Sequence, residues 1–176
     1  MKIIAFAGSP SKNSINKKLA TYAAHLFENA DVEVLDLNDF QMPLFSVDIE
    51  KIIGQHELAK AFLAKIATAD ILVVSLAENN GNYAAAFKNV FDWCSRITAK
   101  VFQEMPMLLM ATSPGARGGA SVLEIAKNAF PFYGGNLKAT FSLPSFDANF
   151  DVINGEISNP ELDNYLKDII KNFSIV

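Results

Sequence analysis

The stretch that decides the fold is Lys2–Asn16, with the sequence KIIAFAGSPSKNSIN. Ile3–Ala7 is a continuous apolar run, which is typical of a strand buried on both faces of a parallel sheet. Gly8 ends this run, and small hydroxylic residues lead into a helical pattern that starts at Ile15. Backbone N–H groups at the start of a helix have no partner within it and favour an anion. The stretch therefore predicts a strand, a phosphate-binding turn and a helix.

Outward from this stretch, strand patterns and helix patterns alternate along the chain. Four further strands are predicted at Val32–Leu37, Ile71–Val74, Met107–Ala111 and Lys138–Leu143. Helices are predicted after Ile15, over Gln55–Ala69, Tyr83–Thr98 and Ala120–Phe132, and after the cap at Asn159. Such alternation predicts parallel strands with helices on both faces. The expected fold class is therefore α/β, a three-layer, doubly wound five-stranded parallel sheet of order 2-1-3-4-5. The second strand is expected near an edge, and the third at the centre.

Composition and charge exclude several classes of protein. The 176 residues fit one domain, residues 1–176, and their net charge of −4 and pI near 5.1 argue against nucleic acid as a partner. Cys94 is the only cysteine, so neither an intrachain disulfide nor a metal site of several cysteines is expected. The apolar runs are too short to span a bilayer, and the first residues do not resemble a signal peptide. We therefore expect a cytoplasmic protein with no membrane partner.

Three polar loops follow the first, third and fourth strands, which are neighbours in the predicted order. They open at the same sheet edge, beside the switch point where ligands bind in such folds. In the first loop, Ser9, Ser14 and Asn16 offer side-chain donors to a phosphate, and Lys12 offers a charge. The alternative is ordinary helix capping by Ser14 after a turn at residues 8–10.

The second and third loops add polar groups and glycines at this edge. Glu78–Asn82 supplies amides and a carboxylate that suit the edge of a planar heterocycle. Its alternative is a polar turn in which Asn82 caps the next helix. Ser113–Gly119 contains three glycines, which allow a close approach of the backbone to a ligand. Its alternative is a flexible connection between a strand and a helix.

Together, the three loops resemble those of the NAD(P)H-dependent FMN reductase family, which are flavodoxin-like proteins that include quinone and azo-dye reductases. The family motifs are Gly-Ser-x-Arg-x-x-Ser-x-Asn, then Pro-Glu-Tyr-Asn-Gly with Leu-Lys-Asn and Asp-Trp downstream, and finally Ser-x-Gly-x-x-Gly-Gly. The matching segments are residues 8–16, 77–81, 87–89, 92–93 and 113–119, with Pro43 and the run Pro144–Asp147 as further landmarks. The resemblance spans nearly the whole chain.

The resemblance implies FMN as cofactor and NADPH or NADH as co-substrate, with a hydride passing through the flavin to a small-molecule electron acceptor. Ser9, Ser14 and Asn16 would hold the phosphate, and the other implied positions would lie along the ring. The implied binding residues are Ser9, Ser11, Lys12, Ser14, Asn16, Glu78, Asn79, Asn80, Gly81, Ser113, Pro114 and Gly115. Because the flavin carries the chemistry, no catalytic side chain is implied and no metal is expected. A homodimer or homotetramer is also implied.

Two positions depart from the family motifs. Ser11 stands where the family has arginine, so a bidentate contact is absent and Lys12 supplies only a charge. Asn79 stands where the family has tyrosine, which removes an aromatic wall from the flavin or nicotinamide pocket. We expect these changes to weaken the binding of FMN and nicotinamide rather than the fold.

Two other functions are consistent with the sequence. A flavodoxin-like electron carrier would bind FMN without any NAD(P)H activity of its own. A classical dinucleotide-binding domain would use Asp36, at the end of the second strand, to bind a ribose. The first loop lacks the three glycines of the dinucleotide fingerprint, so the dinucleotide-binding domain ranks last.

Overall fold

The computed structural model describes residues 1–174 and contains a five-stranded parallel sheet. The five strands of this sheet are β1 Lys2–Gly8, β2 Asp31–Leu35, β3 Ile71–Leu76, β6 Pro106–Thr112 and β7 Asn136–Leu143. Two separate antiparallel pairs are formed by β4 Glu78–Asn79 with β5 Asn82–Tyr83 and by β8 Phe150–Asp151 with β9 Glu156–Ile157. The helices are α1 Ile15–His25, α2 Val47–Ile53, α3 Glu57–Ile66, α4 Ala85–Ser95, α5 Ala120–Ala129, α6 Phe146–Asn149 and α7 Pro160–Lys171. The sheet order β2-β1-β3-β6-β7 confirms the predicted order 2-1-3-4-5, with β2 at an edge and β3 at the centre.

The sheet separates two apolar cores. Successive side chains of a strand point to opposite faces, so Ile3 and Ala5 of β1 join one core while Ile4 and Phe6 join the other. Helices α1 and α7 cover the first core, and α3, α4 and α5 cover the second. All six residues of β3 are buried, as expected for a central strand with helices on both faces.

The register aligns the strand ends that carry the three predicted loops. Gly8, the last residue of β1, pairs with Leu76, the last residue of β3. Leu76 pairs in turn with Ala111, one residue before the end of β6. The loops after these three strands therefore start at nearly the same level of one sheet edge.

Several predicted boundaries were wrong. No helix was predicted between the second strand and Gln55, yet α2 lies there, and it buries no residue and hence has no apolar stripe to detect. The helix predicted over Ala120–Phe132 ends at Ala129 and continues as a 3₁₀ turn over Phe130–Tyr133. Pro131 explains this end, because proline lacks the N–H that an α-helix needs.

The C-terminal part of the chain confirmed one expectation and corrected another. Asn159 caps α7 by accepting hydrogen bonds from the backbone N–H groups of the next turn, as predicted. Within this helix Tyr165 is 58% exposed, whereas Leu166 and Ile170 are buried. No helix or strand was predicted between Leu143 and Asn159, where the structure has α6 and the small β8–β9 hairpin.

Candidate functional site

The three loops meet around one cleft of about 230 Å³ at the carboxyl edge of the sheet. We call it the three-loop cleft. The predicted site residues that line it are Ser9, Ser11, Ser14, Asn16, Glu78, Asn79, Ser113 and Pro114. The remaining predicted residues, Lys12, Asn80, Gly81 and Gly115, are not part of its lining. Asn13, Ile15, Ala77 and Thr112, which the motifs did not mark as binding residues, complete the wall.

The first loop presents hydroxyl and backbone donors at the start of α1. The Ser14 hydroxyl accepts a hydrogen bond from the Lys17 N–H at 3.1 Å, so it caps the helix and keeps its own hydrogen for a ligand. The Ser9 hydroxyl accepts from the Ser11 N–H at 3.2 Å in the same way. The N–H groups of Ile15 and Asn16 are in the first turn, where an α-helix leaves its donors free. The capping alternative and the phosphate hypothesis are therefore compatible.

The Asn16 side chain has a structural role besides its predicted phosphate contact. This side chain is buried, and its amide nitrogen donates to the Thr112 carbonyl at 3.1 Å. Its oxygen accepts from the Thr112 N–H at 3.0 Å and from the Ser75 hydroxyl at 2.7 Å. The amide thus joins α1 to the ends of β3 and β6, and the second N–H of its nitrogen and the backbone N–H of Asn16 are left for a ligand.

Ser75 and Thr112 are positioning residues that motif reasoning missed. Both are buried polar residues at the carboxyl ends of strands. The Thr112 hydroxyl donates to the Leu143 carbonyl at 2.7 Å, which extends the Asn16 network to the end of β7. A polar residue at the end of an otherwise apolar strand was the available signal, because a buried polar group needs a partner.

The second loop is a β-hairpin rather than a cap. Glu78–Asn79 pairs with Asn82–Tyr83, and the two residues between them, Asn80 and Gly81, have φ angles of 53° and 75°. Positive φ at both central positions is the geometry that selects Asn-Gly in tight hairpins. The alternative in which Asn82 caps the next helix is wrong, because α4 is preceded by Ala84 and has no side-chain cap.

Glu78 links the hairpin to the third loop. Its carboxylate accepts a hydrogen bond from the Val122 N–H, in the first turn of α5, at 3.0 Å. Gly119 precedes this helix and has no side chain to cap it, so Glu78 supplies the missing acceptor. The predicted contact of Glu78 with a planar ring therefore competes with this structural bond.

Tyr83 anchors the other strand of the hairpin. Its ring stacks on Phe130 at a centroid distance of 6.1 Å, and burial raises the pKa of its hydroxyl to about 12. Its buried hydroxyl oxygen has no hydrogen-bond partner within residues 1–174. Tyr83 is therefore neutral at physiological pH and serves as a packing residue.

The fold requires glycine at two of the three glycine positions of the third loop. A Cβ at Gly118 would lie 2.4 Å from the Ser142 hydroxyl, and one at Gly119 would lie 2.8 Å from the Ala111 Cβ. Both also have positive φ angles, so packing and backbone conformation require glycine there. Gly115 differs, because the nearest atom to a Cβ there, the Ser113 hydroxyl, is 3.9 Å away. The fold does not require glycine at position 115.

Lys12, predicted at the site, and Asp36, considered only for the dinucleotide-binding alternative, do not line the three-loop cleft. Lys12 lines a second cavity along α1 instead of the three-loop cleft. Asp36, considered as a ribose-binding acid, accepts from the Lys17 ammonium at 2.6 Å and from the Asn38 N–H at 2.9 Å. These two bonds hold the pKa of Asp36 below its ordinary value. An acid engaged in this way is poorly placed to bind a ribose.

Asn89 and Trp93, which belong to the matching motif segments, have structural roles outside the lining of the three-loop cleft. Asn89 donates from its amide to the Met42 carbonyl at 3.0 Å and accepts from the Phe45 N–H at 2.8 Å. The Trp93 indole N–H donates to the Pro43 carbonyl at 2.8 Å. Together they fix the extended segment before α2 against α4.

Over residues 1–174, no three histidine, cysteine, aspartate or glutamate side chains cluster in a way that would hold a metal ion. In the same part of the chain, no helix has the length and apolar character needed to cross a bilayer.

Comparison with known proteins adds independent evidence. The chain is 31% identical over 148 residues to the uncharacterized protein MG342 homolog of Mycoplasma pneumoniae, covering 80% of this chain and 86% of that protein. It is 34% identical over 122 residues to a 2-hydroxy-1,4-benzoquinone reductase of a Burkholderia species, covering 68% of this chain but only 64% of that enzyme. The chain thus spans somewhat less than two thirds of this named reductase.

A solved structure and a family profile agree with the fold and the motifs. The flavoenzyme NAD(P)H:(acceptor) oxidoreductase FerB from Paracoccus denitrificans superposes with a TM-score of 0.76 at 22% identity, covering 98% of this chain and 94% of that one. This likeness confirms the predicted flavodoxin-like fold. Residues 1–146 match the profile of the NADPH-dependent FMN reductases. The resemblance stated from the motifs is therefore confirmed, and the chain belongs to the NADPH-dependent FMN reductase family.

Proposed function

We propose that this chain is an FMN-dependent NAD(P)H oxidoreductase that reduces a quinone, free flavin or similar small-molecule acceptor. The observation that carries the proposal is the convergence of three motif-bearing loops on one cleft. The description of the family names both FMN and NADPH, and one relative is a benzoquinone reductase. The enzyme class expected from the motifs agrees with that of the family.

The phosphate of FMN would lie against the first loop. The hydroxyls of Ser9, Ser11 and Ser14 face the three-loop cleft, and the first-turn N–H groups of Ile15 and Asn16 carry the positive end of the helix dipole. The donors at this position are neutral, because Ser11 replaces the family arginine and Lys12 lines the neighbouring cavity. We therefore expect weaker FMN retention than in relatives that have the arginine.

The isoalloxazine would lie between the hairpin and the third loop. Asn79, Ser113 and Pro114 line this part of the cleft. When bound, FMN supplies hydride acceptance from NAD(P)H and electron delivery to the acceptor. The residues of the chain bind and orient it, and loop N–H groups stabilise negative charge on the ring. Glu78 contributes by fixing the hairpin to α5.

The spectrum of the purified protein tests the proposal directly. We expect a yellow protein, or one that binds added FMN, and oxidation of NADPH or NADH in the presence of a quinone. Ser11→Arg should tighten FMN binding about tenfold, since a charge-assisted hydrogen bond contributes about 1.5 kcal/mol or more. Ala61→Arg adds the same charge on α3 and should leave the FMN affinity unchanged. A colourless protein without FMN affinity would contradict the proposal.

An electron carrier without nicotinamide chemistry is the second candidate. Asn79, where the family has tyrosine, is exposed at the cleft and offers no aromatic surface for nicotinamide. Steady-state kinetics separate the two candidates. A carrier would bind FMN and show negligible NAD(P)H oxidation, whereas the proposed reductase turns over with a quinone acceptor.

We further infer a single domain over residues 1–176 that forms a homodimer or homotetramer in the cytoplasm and binds no nucleic acid. The net charge of −4 supports the absence of nucleic acid, and Leu44 and Ile52, which are 76% and 82% exposed, support self-association. Light scattering coupled to size exclusion should give a dimer or tetramer. Ile52→Asp should shift it towards the monomer. A monomeric parent protein would contradict this inference.

A further inference from the structure

A second cavity, which we call the α1 groove, lies between helix α1 and the β8–β9 hairpin. Its volume is about 440 Å³, larger than that of the three-loop cleft. The residues used below are Lys12, Ser14, Lys18, Tyr22, Phe150 and Val152, all of which line it. None of the family motifs assigns a role to the groove as a whole.

One end of the groove is cationic. Lys12 and Lys18 have no ion-pair partner in the part of the chain that the structure describes. The neighbouring Lys17 differs, because Asp36 already neutralises it at 2.6 Å. The ammonium groups of Lys12 and Lys18 therefore make this end of the groove locally positive, although the net charge of the chain is −4. Their charge is complementary to a phosphate group.

The other end of the groove is apolar and aromatic. Tyr22 packs edge-on against Phe150, with ring centroids 6.2 Å apart, and Val152 is 50% exposed beside them. The Tyr22 hydroxyl donates to Asp163, and its pKa is raised by burial and by this carboxylate. Glu156 also lies close enough to Tyr22 to raise that pKa. An anion is therefore favoured only at the lysine end, and an uncharged heterocycle at the tyrosine end.

The α1 groove adjoins the three-loop cleft at a shared lining residue. Ser14 lines both cavities. From Ser14, the α1 groove follows the helix to Tyr22, a rise of about 12 Å at 1.5 Å per residue. A ligand whose phosphate lies at Ser14 can therefore extend into the groove past the lysines towards the aromatic end. A dinucleotide has this arrangement of charge followed by a flat heterocycle.

We propose that the α1 groove binds the phosphorylated adenosine half of a dinucleotide. Lys12 and Lys18 bind its phosphate, and Tyr22, Phe150 and Val152 contact the adenine. This proposal rests on the proposed function, which supplies two dinucleotides with this chemistry. They are NADPH, with a phosphate on the 2′ position of its adenosine, and FAD, whose FMN half would occupy the three-loop cleft.

Calorimetric titration of the full chain with two probes tests the proposal and distinguishes the sources. The probe 2′,5′-ADP represents NADPH, and 5′-ADP represents FAD. We expect saturable binding of at least one, weakened about tenfold in Lys18→Gln, which corresponds to the loss of about 1.4 kcal/mol. Lys51→Gln removes the same charge from α2, on the opposite face of the sheet, and should bind the probe like the parent protein. Selective binding of either probe supports the proposal and names its source.

A second variant changes the groove at a different residue, so that the test does not depend on the folding of Lys18→Gln alone. Val152→Glu places a negative charge at an exposed position of the groove and should also weaken binding of the probe. Absence of binding of both probes at millimolar concentration, or equal binding by the parent protein, Lys18→Gln and Val152→Glu, would overturn the proposal. These titrations need neither flavin nor turnover. A protein that binds FMN and oxidises NADH but fails them would therefore refute the groove and leave the proposed function intact.

Discussion

The first loop and the β4–β5 hairpin face the same cleft but are held in different ways. Below the first loop, the buried Asn16 side chain makes three hydrogen bonds to β3 and β6. The hairpin has strands of only two residues and is held by one carboxylate bond, from Glu78 to α5, and by packing of Tyr83. A satisfied buried polar network fixes one arrangement, whereas an isolated short hairpin is marginally stable. The proposed phosphate end of the site is therefore rigid, and its ring end is more adaptable.

Removal of the Asn16 amide should give the largest effect. Asn16→Ala leaves the Thr112 N–H, the Thr112 carbonyl and the Ser75 hydroxyl buried without their partner. We expect the free energy of unfolding to fall by about 3 kcal/mol, since an unsatisfied buried group costs about 1–3 kcal/mol. Urea denaturation measures this loss. The control Asn13→Ala changes an exposed amide of the same loop and should alter stability by less than about 0.5 kcal/mol. Equal effects of the two variants would contradict the proposed rigidity.

A pair of glycine variants should separate folding from binding in the third loop. Gly118→Ala places a Cβ 2.4 Å from the Ser142 hydroxyl at a positive φ angle. It should cost about 2 kcal/mol of stability by thermal or urea unfolding. Gly115→Ala meets no such contact and should cost less than about 0.5 kcal/mol. If Gly115→Ala nevertheless lowers the affinity for FMN, then Gly115 serves the close approach of the backbone to the ligand and not the stability of the fold. A large loss of stability in Gly115→Ala would contradict the packing argument.

Weakening the attachment of the hairpin should have a smaller effect. Glu78→Gln keeps an oxygen near the Val122 N–H but removes the charge that favours the start of α5. We expect a loss of about 1 kcal/mol or less in the free energy of unfolding. Hydrogen exchange should be faster in the hairpin than in β1. Slower exchange in the hairpin would reverse the comparison. Glu124→Gln, on the exposed side of the same helix, is the matched control.

The smallest predicted effect depends on pH. The Lys17 ammonium and the Asn38 N–H hold the pKa of Asp36 below its ordinary value. The stability that Asp36 contributes is therefore present above the unfolded pKa and is lost as the pH falls below about 4. Because the pair is about one third exposed, we expect Asp36→Asn to cost only about 0.5 kcal/mol at pH 7. Urea unfolding of both proteins at pH 7 and pH 3 should show a smaller difference at pH 3. A difference that grows at pH 3 would contradict this sign.

The fold was predictable because its main signals are local. The run Ile3–Ala7 and the buried run around Ile71–Val74 identify strands covered on both faces, and their alternation with helical patterns fixes a parallel sheet. Helix α2 could not be found in this way, because it buries no residue and therefore has no periodic apolar stripe. The small hairpin at β8–β9 also escaped prediction, because strands of two residues show no period.

The site was predictable in position more than in detail. Motifs and sheet order brought Ser9, Ser14 and Ser113 to one cleft, as expected. They did not indicate that the Asn16 side chain joins the ends of β3 and β6, because contacts between residues distant in sequence leave no local pattern. The direction of Lys12 was equally inaccessible, since a long side chain at a loop can turn towards either of two cavities.

By itself, the sequence determined the strands, their order, the three loops and the family of this protein, because each depends on local patterns and short motifs. Tertiary structure decided which residues of the three loops and strand ends keep a hydrogen-bonding group or a charge available for a ligand. It committed Asn16 to Ser75 and Thr112, Glu78 to α5 and Asp36 to Lys17. It also left Lys12 and Lys18 together beside a groove. The physical reason is that hydrogen bonds and charges are satisfied by partners distant in sequence, which only the folded chain brings within a few ångströms.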